Sequence, residues 1–140
     1  MAIIIGDDFD NALVDTTGKD QMFGGLGNDT LTSTRGRDSL FGGGGNDSLS
    51  GLSAERAIVH GDDGNDIIFA DNFNAGYGDA GSDTLAGSGT LSGDADNDSI
   101  IGGLYSYSED GDDTLSGDTG YAYALERIAF NLNLIKGDTL

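Results

Sequence analysis

Residues 24–50 consist of three consecutive nine-residue units, GGLGNDTLT (24–32), STRGRDSLF (33–41) and GGGGNDSLS (42–50). In each unit the fourth residue is Gly, the sixth is Asp and the eighth is a large apolar residue. The first and third units also begin with two Gly residues. A chain of 140 residues with 25 Gly and no Pro would otherwise suggest disorder, but a strict period indicates an ordered repeat architecture.

This G-G-x-G-x-D-x-U-x pattern resembles the RTX (hemolysin-type calcium-binding) family, whose nonapeptide repeats form parallel β-helices. The resemblance covers most of the chain, although residues 51–60 and 70–77 break the frame. Counted in both directions from residue 24, further units begin at Gly6, Asp15, Gly61, Gly78, Gly93 and Ser108.

Alternate units define one coil. Their sixth-position residues are separated by 18, 18, 19, 17, 15 and 15 residues, so one coil contains two units. We therefore expect an all-β fold, a right-handed parallel β-roll (β-solenoid) with about 15–19 residues per coil. The expected core residues are Leu13, Leu31, Leu49, Ile68, Leu85, Ile100 and Leu115 on one side, and Met22, Leu40, Ile58 and Leu91 on the other.

The loops between strands have the composition of calcium sites. Glycine permits the positive φ angles that turn carbonyl oxygens inward, and calcium takes six to eight oxygen ligands. The resemblance implies that each ion lies between loops one coil apart. Its ligands would be odd-position carbonyls of one unit, even-position carbonyls of the other and the sixth-position Asp of both. On this chain it implies five strong sites, between successive members of the column Asp29, Asp47, Asp66, Asp83, Asp98 and Asp113.

A second, shorter column follows the other edge of the roll. Asp20 and Asp38 are predicted to hold a sixth ion there, and Arg56 then stands where the next Asp is expected. A site between Asn11 and Asp29 is disfavoured because Asn lacks the charge. The other loop residues predicted to surround the ions are Gly24, Leu26, Asn28, Gly42, Gly43, Gly44, Gly45, Asn46, Gly61, Asp62, Asp63, Gly64, Asn65, Gly78, Asp79, Ala80, Gly81, Ser82, Gly93, Asp94, Ala95, Asp96, Asn97, Glu109 and Gly111.

The later units replace the second-position Gly with an acid: Asp62, Asp79, Asp94 and Glu109. These carboxylates either stay outside the loop as solvated charge or join the metal and raise its affinity. The first interpretation is favoured, because the family ligand at this position is a carbonyl. Asp96 replaces a fourth-position Gly, and we expect it to weaken its site.

The composition favours a cationic ligand. With 25 acidic and 6 basic residues the net charge is −19, which disfavours nucleic acid and anionic membranes as partners, and no segment is apolar enough for membrane insertion. Six Ca²⁺ ions would leave −7. So thin a core cannot offset the conformational entropy of ordering, about 1–2 kcal/mol per residue. We therefore expect the chain to be largely disordered without calcium and to fold on binding five or six ions.

Other functional classes are less well supported. No Gly-x-Ser-x-Gly motif accompanies His60, so no enzymatic activity is expected, and this histidine is interpreted as the residue inserted into the 19-residue coil. The segment from Asp94 to Asp98 imitates the start of an EF-hand, but Ser99 and Tyr105 stand where the loop needs Gly and Glu. Calcium binding by the repeats is favoured over both.

A recognition or adhesion role, for polysaccharide, ice or a partner protein, is the alternative. A flat array of aromatic or threonine side chains on an exposed sheet would favour it. The sequence places Phe23, Phe41 and Phe69 at the ninth position of their units. It also places threonine at the seventh position of some units, although other residues interrupt that row.

The domain organisation follows the period. Residues 1–120 are expected to form the roll, with residues 1–5 as an N-terminal cap strand and residues 121–140 as a C-terminal cap strand or flank to neighbouring domains of a larger chain. The absence of Cys excludes a disulfide framework, and the N-terminus lacks the basic region of a signal peptide. The resemblance implies a secreted, extracellular protein exported by type I secretion.

Overall fold

A computed structural model describes residues 1–52, 55–72 and 74–116 and the backbone of residues 121–124, and in these residues every regular element is a β-strand. The strands, in chain order, are β1 (Ile3–Ile5), β2 (Ala12–Val14), β3 (Gln21–Leu26), β4 (Thr30–Ser33), β5 (Ser39–Gly44), β6 (Ser48–Gly51), β7 (Ile58–Asp63), β8 (Ile67–Ala70), β9 (Ala75–Tyr77), β10 (Thr84–Gly87), β11 (Thr90–Ser92), β12 (Ser99–Gly102), β13 (Tyr105–Ser108), β14 (Thr114–Ser116) and β15 (Tyr121–Ala124).

The strands form two parallel sheets. The odd-numbered strands make an eight-stranded sheet and the even-numbered strands a seven-stranded sheet, each in sequence order, so every coil contributes one strand to each. The predicted parallel β-roll is confirmed. Aligned Cα positions of the seven-stranded sheet reproduce the predicted coil lengths through Leu13, Leu31, Leu49, Ile68, Leu85, Ile100 and Leu115.

The core is a double row of apolar side chains between the sheets. Leu31, Leu49 and Leu85 are fully buried in one row, as predicted. Met22 and Leu91 are fully buried in the other. Within the described residues, no helix is long and apolar enough to cross a membrane.

One predicted core residue is wrong. Ile58 is 45% exposed, whereas its neighbour Val59 is fully buried and pairs in register with Leu40. Gly51 aligns with Ser33, 18 residues earlier, but Ile58 aligns with Ser39, 19 residues earlier. The extra residue therefore lies between Gly51 and Ile58. Because strand side chains alternate between faces, a shift of one residue exchanges the inward and outward positions.

The same shift corrects the interpretation of His60. It is not the inserted residue, since it pairs in register with Phe41 and Tyr77 on the outer face of the eight-stranded sheet. It belongs to a stack of rings that begins at Phe23, with centroid separations of 5.0, 5.4 and 4.8 Å and interplanar angles of 7°, 4° and 11°. Phe69 lies apart from this stack, on the seven-stranded sheet.

The register shift makes a testable prediction. Val59→Ala is expected to lower the free energy of unfolding by about 2 kcal/mol, because it removes buried methyl groups and leaves a cavity. Ile58→Ala, one residue away, should cost less than about 1 kcal/mol because that side chain is largely exposed. Urea unfolding in saturating calcium measures both values. A larger loss for Ile58→Ala would contradict the register.

The termini of the roll are described in part. β1 lies at the end of the eight-stranded sheet and pairs with β3. At the other end, β15 (Tyr121–Ala124) pairs with β13, so the sheet continues into the segment predicted as a cap. Residues 125–140, the rest of the predicted cap strand or flank, lie outside the described residues. The division at residue 120 stays a prediction.

Candidate metal centre

The sixth-position aspartates form a continuous column inside one edge of the roll. Each is at most 6% exposed from Asp29 to Asp113. The backbone N–H of each sixth-position residue of this edge, from Asn11 to Asp98, donates to Oδ1 of the aspartate one coil later, at 2.7–2.9 Å. This ladder fixes the carboxylates in one orientation along the edge. It links Asn11, Asp29, Asp47, Asp66, Asp83, Asp98 and Asp113.

The second oxygen of these carboxylates has no protein partner. Among the described residues, the Oδ2 atoms of Asp29, Asp47, Asp66, Asp83 and Asp98 are buried and accept no hydrogen bond. An ionised carboxylate oxygen buried in this way is costly unless a cation or a donor faces it. Five such atoms in a row therefore match the five predicted sites.

Carbonyl oxygens lie close to these atoms. A Cβ placed on Gly42, the first residue of its unit, would overlap Asp47 Oδ2 and approach the carbonyl oxygen of Gly61, one coil later, within 2.5 Å. Gly61 has the same relation to Asp66 and Gly78. A side chain at Gly42 or Gly61 would fill the space between the two oxygens. The space between the aspartate Oδ2 and the carbonyl oxygen one coil later is lined by hard oxygen donors, the type of ligand that calcium prefers.

Burial has a measurable electrostatic consequence. Burial first, and then the charges of neighbouring aspartates, raise the pKa of Asp66, Asp83 and Asp98 to about 7. Burial also raises the pKa of Asp47. These carboxylates are held together against their mutual repulsion, and a divalent cation between the loops would relieve it.

Side chains alone do not complete a site. Within the described part of the chain, no group of three or more acidic or histidine side chains comes together around one point. Two carboxylates per site and a coordination number of six to eight leave most ligands to backbone carbonyls. The predicted ligand set, in which most of the named residues would bind through the main chain, stays a prediction.

The fifth-position residues have a role that the sequence analysis missed. The N–H of Asn46 donates to Asn28 Oδ1 at 2.8 Å, and the N–H of Asn65 donates to Asn46 Oδ1 at 2.8 Å. This ladder runs opposite to that of the aspartates and ties the same loops together. The recurring Asn-Asp pair in the sequence was the available signal. Asn28, Asn46 and Asn65 therefore stabilise the loops through their side chains.

Four of the acids that replace glycine keep a positive φ. At the fourth position Gly64 and Gly81 have φ of 134° and 133°, whereas Asp96 has φ of 76°, in the left-handed region. Such a conformation costs an L-residue roughly 1–2 kcal/mol. Asp62, Asp79 and Asp94, at the second position, likewise have φ of 69–70°.

The second-position acids contact groups on the outer face. Asp79 Oδ2 lies 2.9 Å from His60 Nδ1, and Asp94 Oδ1 accepts a hydrogen bond from Ser92 Oγ at 2.9 Å. Glu109 is exposed. Burial, followed by the charge of Asp79, raises the pKa of Asp62. These contacts favour the interpretation that the acids stay outside the metal sites, which remains a prediction.

The second edge has the same ladder but a different ending. The N–H of Asp20 donates to Asp38 Oδ1 at 2.8 Å. Ala57, rather than Arg56, occupies the next place, and its N–H donates to Asn74 Oδ1 at 2.7 Å. The hydrogen bond from Thr16 Oγ1, and then that from the N–H of Ala2, lower the pKa of Asp20. Asp20 Oδ2 thus accepts hydrogen bonds from protein groups, unlike the five unpartnered Oδ2 atoms of the first edge.

Comparison with known proteins agrees with this geometry. The family model described as the RTX calcium-binding nonapeptide repeat (4 copies) matches residues 5–40, 23–53, 58–74, 86–104 and 107–121. No curated protein and no solved structure is significantly similar to the chain. The matched segments span most of the chain and include the loops of the aspartate column except that of Asp83. The chain therefore belongs to the RTX calcium-binding nonapeptide repeat family, whose repeats form structural calcium-binding modules.

Proposed function

We propose that this chain is a calcium-triggered folding module that binds five Ca²⁺ ions along the edge formed by Asp29 to Asp113. The observation that carries the proposal is the row of five buried, unpartnered Oδ2 atoms. Each ion lies between two loops one coil apart. It takes a carboxylate oxygen from two successive aspartates and carbonyl oxygens from the flanking loop residues.

The energetics make folding depend on the metal. The net charge is −19, and five ions reduce it to −9. The ions bind only where loops are stacked, so their binding free energy adds to the stability of the folded state. Without them, the buried carboxylates must be protonated or repel one another. The calcium-free chain is therefore largely disordered at neutral pH.

The family suggests where such a switch is useful. RTX proteins are typically secreted, and calcium is scarce in the cytoplasm but plentiful outside the cell. A module of this kind stays unfolded and exportable until it meets calcium, then forms a rigid roll. In this proposal the chain is part of an extracellular protein with type I secretion, and its immediate partners are calcium and neighbouring domains.

Circular dichroism during a calcium titration tests the proposal, with calorimetry supplying the number of bound ions. We expect a cooperative transition from coil to β-structure and about five ions bound. Magnesium is the control: it demands near-ideal octahedral geometry and dehydrates reluctantly, so it should not drive the transition. A full β-spectrum in chelator, or no calcium binding, would contradict the proposal.

The recognition alternative has weaker support. An aromatic row does occupy the outer face of the eight-stranded sheet, from Phe23 to Tyr77, but the rings stack on one another at 4.8–5.4 Å. Both faces of Phe41 and His60, and one face of each end ring, are therefore covered by neighbouring rings. Stacking of a sugar on a ring needs an open face, so this row favours a role in holding the coils together.

A further inference from the structure

The two edges of the roll differ at one atom of each aspartate. On both edges, a backbone N–H one coil earlier donates to Oδ1; on the second edge, the N–H of Ala2 donates to Asp20 Oδ1 at 2.6 Å. On the first edge, the Oδ2 atoms of the five aspartates from Asp29 to Asp98 are left without a partner. On the second, Asp20 Oδ2 accepts from the N–H and Oγ1 of Thr16 at 2.9 and 2.5 Å, and Asp38 Oδ2 accepts from Ser33 Oγ at 2.7 Å.

The positions of these hydroxyls are informative. Ser33 is the first residue of its unit, where the units of the first edge from residue 24 to residue 101 have Gly and only the last described unit has Ser108. A Cβ at Gly42 would overlap the unpartnered oxygen of its aspartate. Ser33 has a Cβ at this place and is fully buried, with its hydroxyl bound to Asp38. The Ser33 hydroxyl thus occupies the place beside the aspartate that stays empty at Gly42 on the first edge.

The charge distribution points the same way. The basic residues among residues 1–116 all lie in loops of the second edge, and they are exposed. Two of them directly precede the aspartates concerned. A cation next to a carboxylate lowers the local attraction for a second cation. These basic residues are Lys19, Arg35, Arg37 and Arg56.

We propose that the second edge is a calcium-independent clasp, in which the hydroxyl groups of Thr16 and Ser33 take the place that calcium has on the first edge. The clasp joins the first coils through Asp20 and Asp38 and binds no ion. The inference rests on the proposed function for the first edge. It limits the chain to five ions and makes the roll a metal-bound edge joined to a hydrogen-bonded one.

Calorimetric stoichiometry tests the clasp. The wild-type chain should bind five ions, and Asp38→Asn and Asp20→Asn should each still bind five, with calcium midpoints within about twofold of the wild type. Six ions in the wild type, or loss of an ion in either variant, would overturn the clasp. The wild-type count decides the question even if a variant fails to fold. Absence of any calcium binding would instead overturn the proposed function.

A second experiment examines the hydroxyl. Ser33→Ala leaves Asp38 Oδ2 buried without its donor, so the melting temperature of the calcium-bound roll should fall by roughly 5 °C or more. The ion count should stay at five. Ser39→Ala, at a half-buried position on the outer face, is the matched control and should change little. An unchanged melting temperature for Ser33→Ala would argue against the clasp.

Discussion

Asp66→Asn is expected to remove two of the five calcium ions and to raise the calcium concentration at half-folding by roughly tenfold or more. Asp66 stands between two proposed sites, one shared with Asp47 and one with Asp83. The substitution keeps an oxygen to accept the N–H of Asp47, which binds Asp66 Oδ1 at 2.7 Å. It replaces the unpartnered Oδ2 with an amide NH2 group, a hydrogen-bond donor that cannot bind a cation. The loss therefore comes from the metal sites and not from the ladder.

Asp38→Asn is the matched control for this experiment. It makes the same chemical change at a buried sixth-position aspartate whose Oδ1 also accepts a backbone N–H, that of Asp20. On the second edge the oxygen concerned bonds to a hydroxyl, which can rotate to accept from an amide. Calorimetry and circular dichroism compare the two variants. Equal effects would mean that the lost charge, rather than its place on the first edge, governs calcium binding.

Acidification is expected to have opposite effects on the calcium-free and calcium-bound chain. The pKa of Asp66, Asp83 and Asp98 is raised to about 7 in the folded state, against about 3.9 in an unfolded chain. The folded state then binds more protons, so the stability of the calcium-free roll is present below about pH 4 and is lost as the pH rises towards about 7. In chelator, the β-signal should increase on lowering the pH from 7.5 to 5.5.

Calcium binding should respond in the other direction. The ions need ionised carboxylates, so protons compete with them below the raised pKa values. The calcium concentration at half-folding should be roughly tenfold or more higher at pH 5.5 than at pH 7.5. A midpoint that is independent of pH would show that the buried aspartates are not the ligands.

Much of this structure was predictable because the spacing of the repeated residues determines the coil length and the order of the strands. The spacing from Asp29 to Asp113 set the coil length and the order of the strands, and the register confirms both. Each coil pairs mainly with its neighbours, so one period in the sequence becomes one step of the roll. The column of five proposed sites followed from the same count.

The errors arose where the period breaks. In the 19-residue coil the sequence does not show on which side of the strand the extra residue is absorbed. Ile58 and Val59 are both good strand residues, and only the pairing with Leu40 places Val59 inside. The interpretation of His60 failed for the same reason, since its place in the ring stack depends on Phe41 one coil earlier.

The amino-acid sequence by itself determined the repeat, the coil length, the acidic edge and the family, because these depend on residue types at fixed local positions. The tertiary structure decided which oxygen atoms keep a partner. Asp38 and Asp47 occupy the same place in their units, yet one bonds to Ser33 and the other has an unpartnered oxygen. That difference comes from the side chains packed around each carboxylate, which only the folded coil brings together.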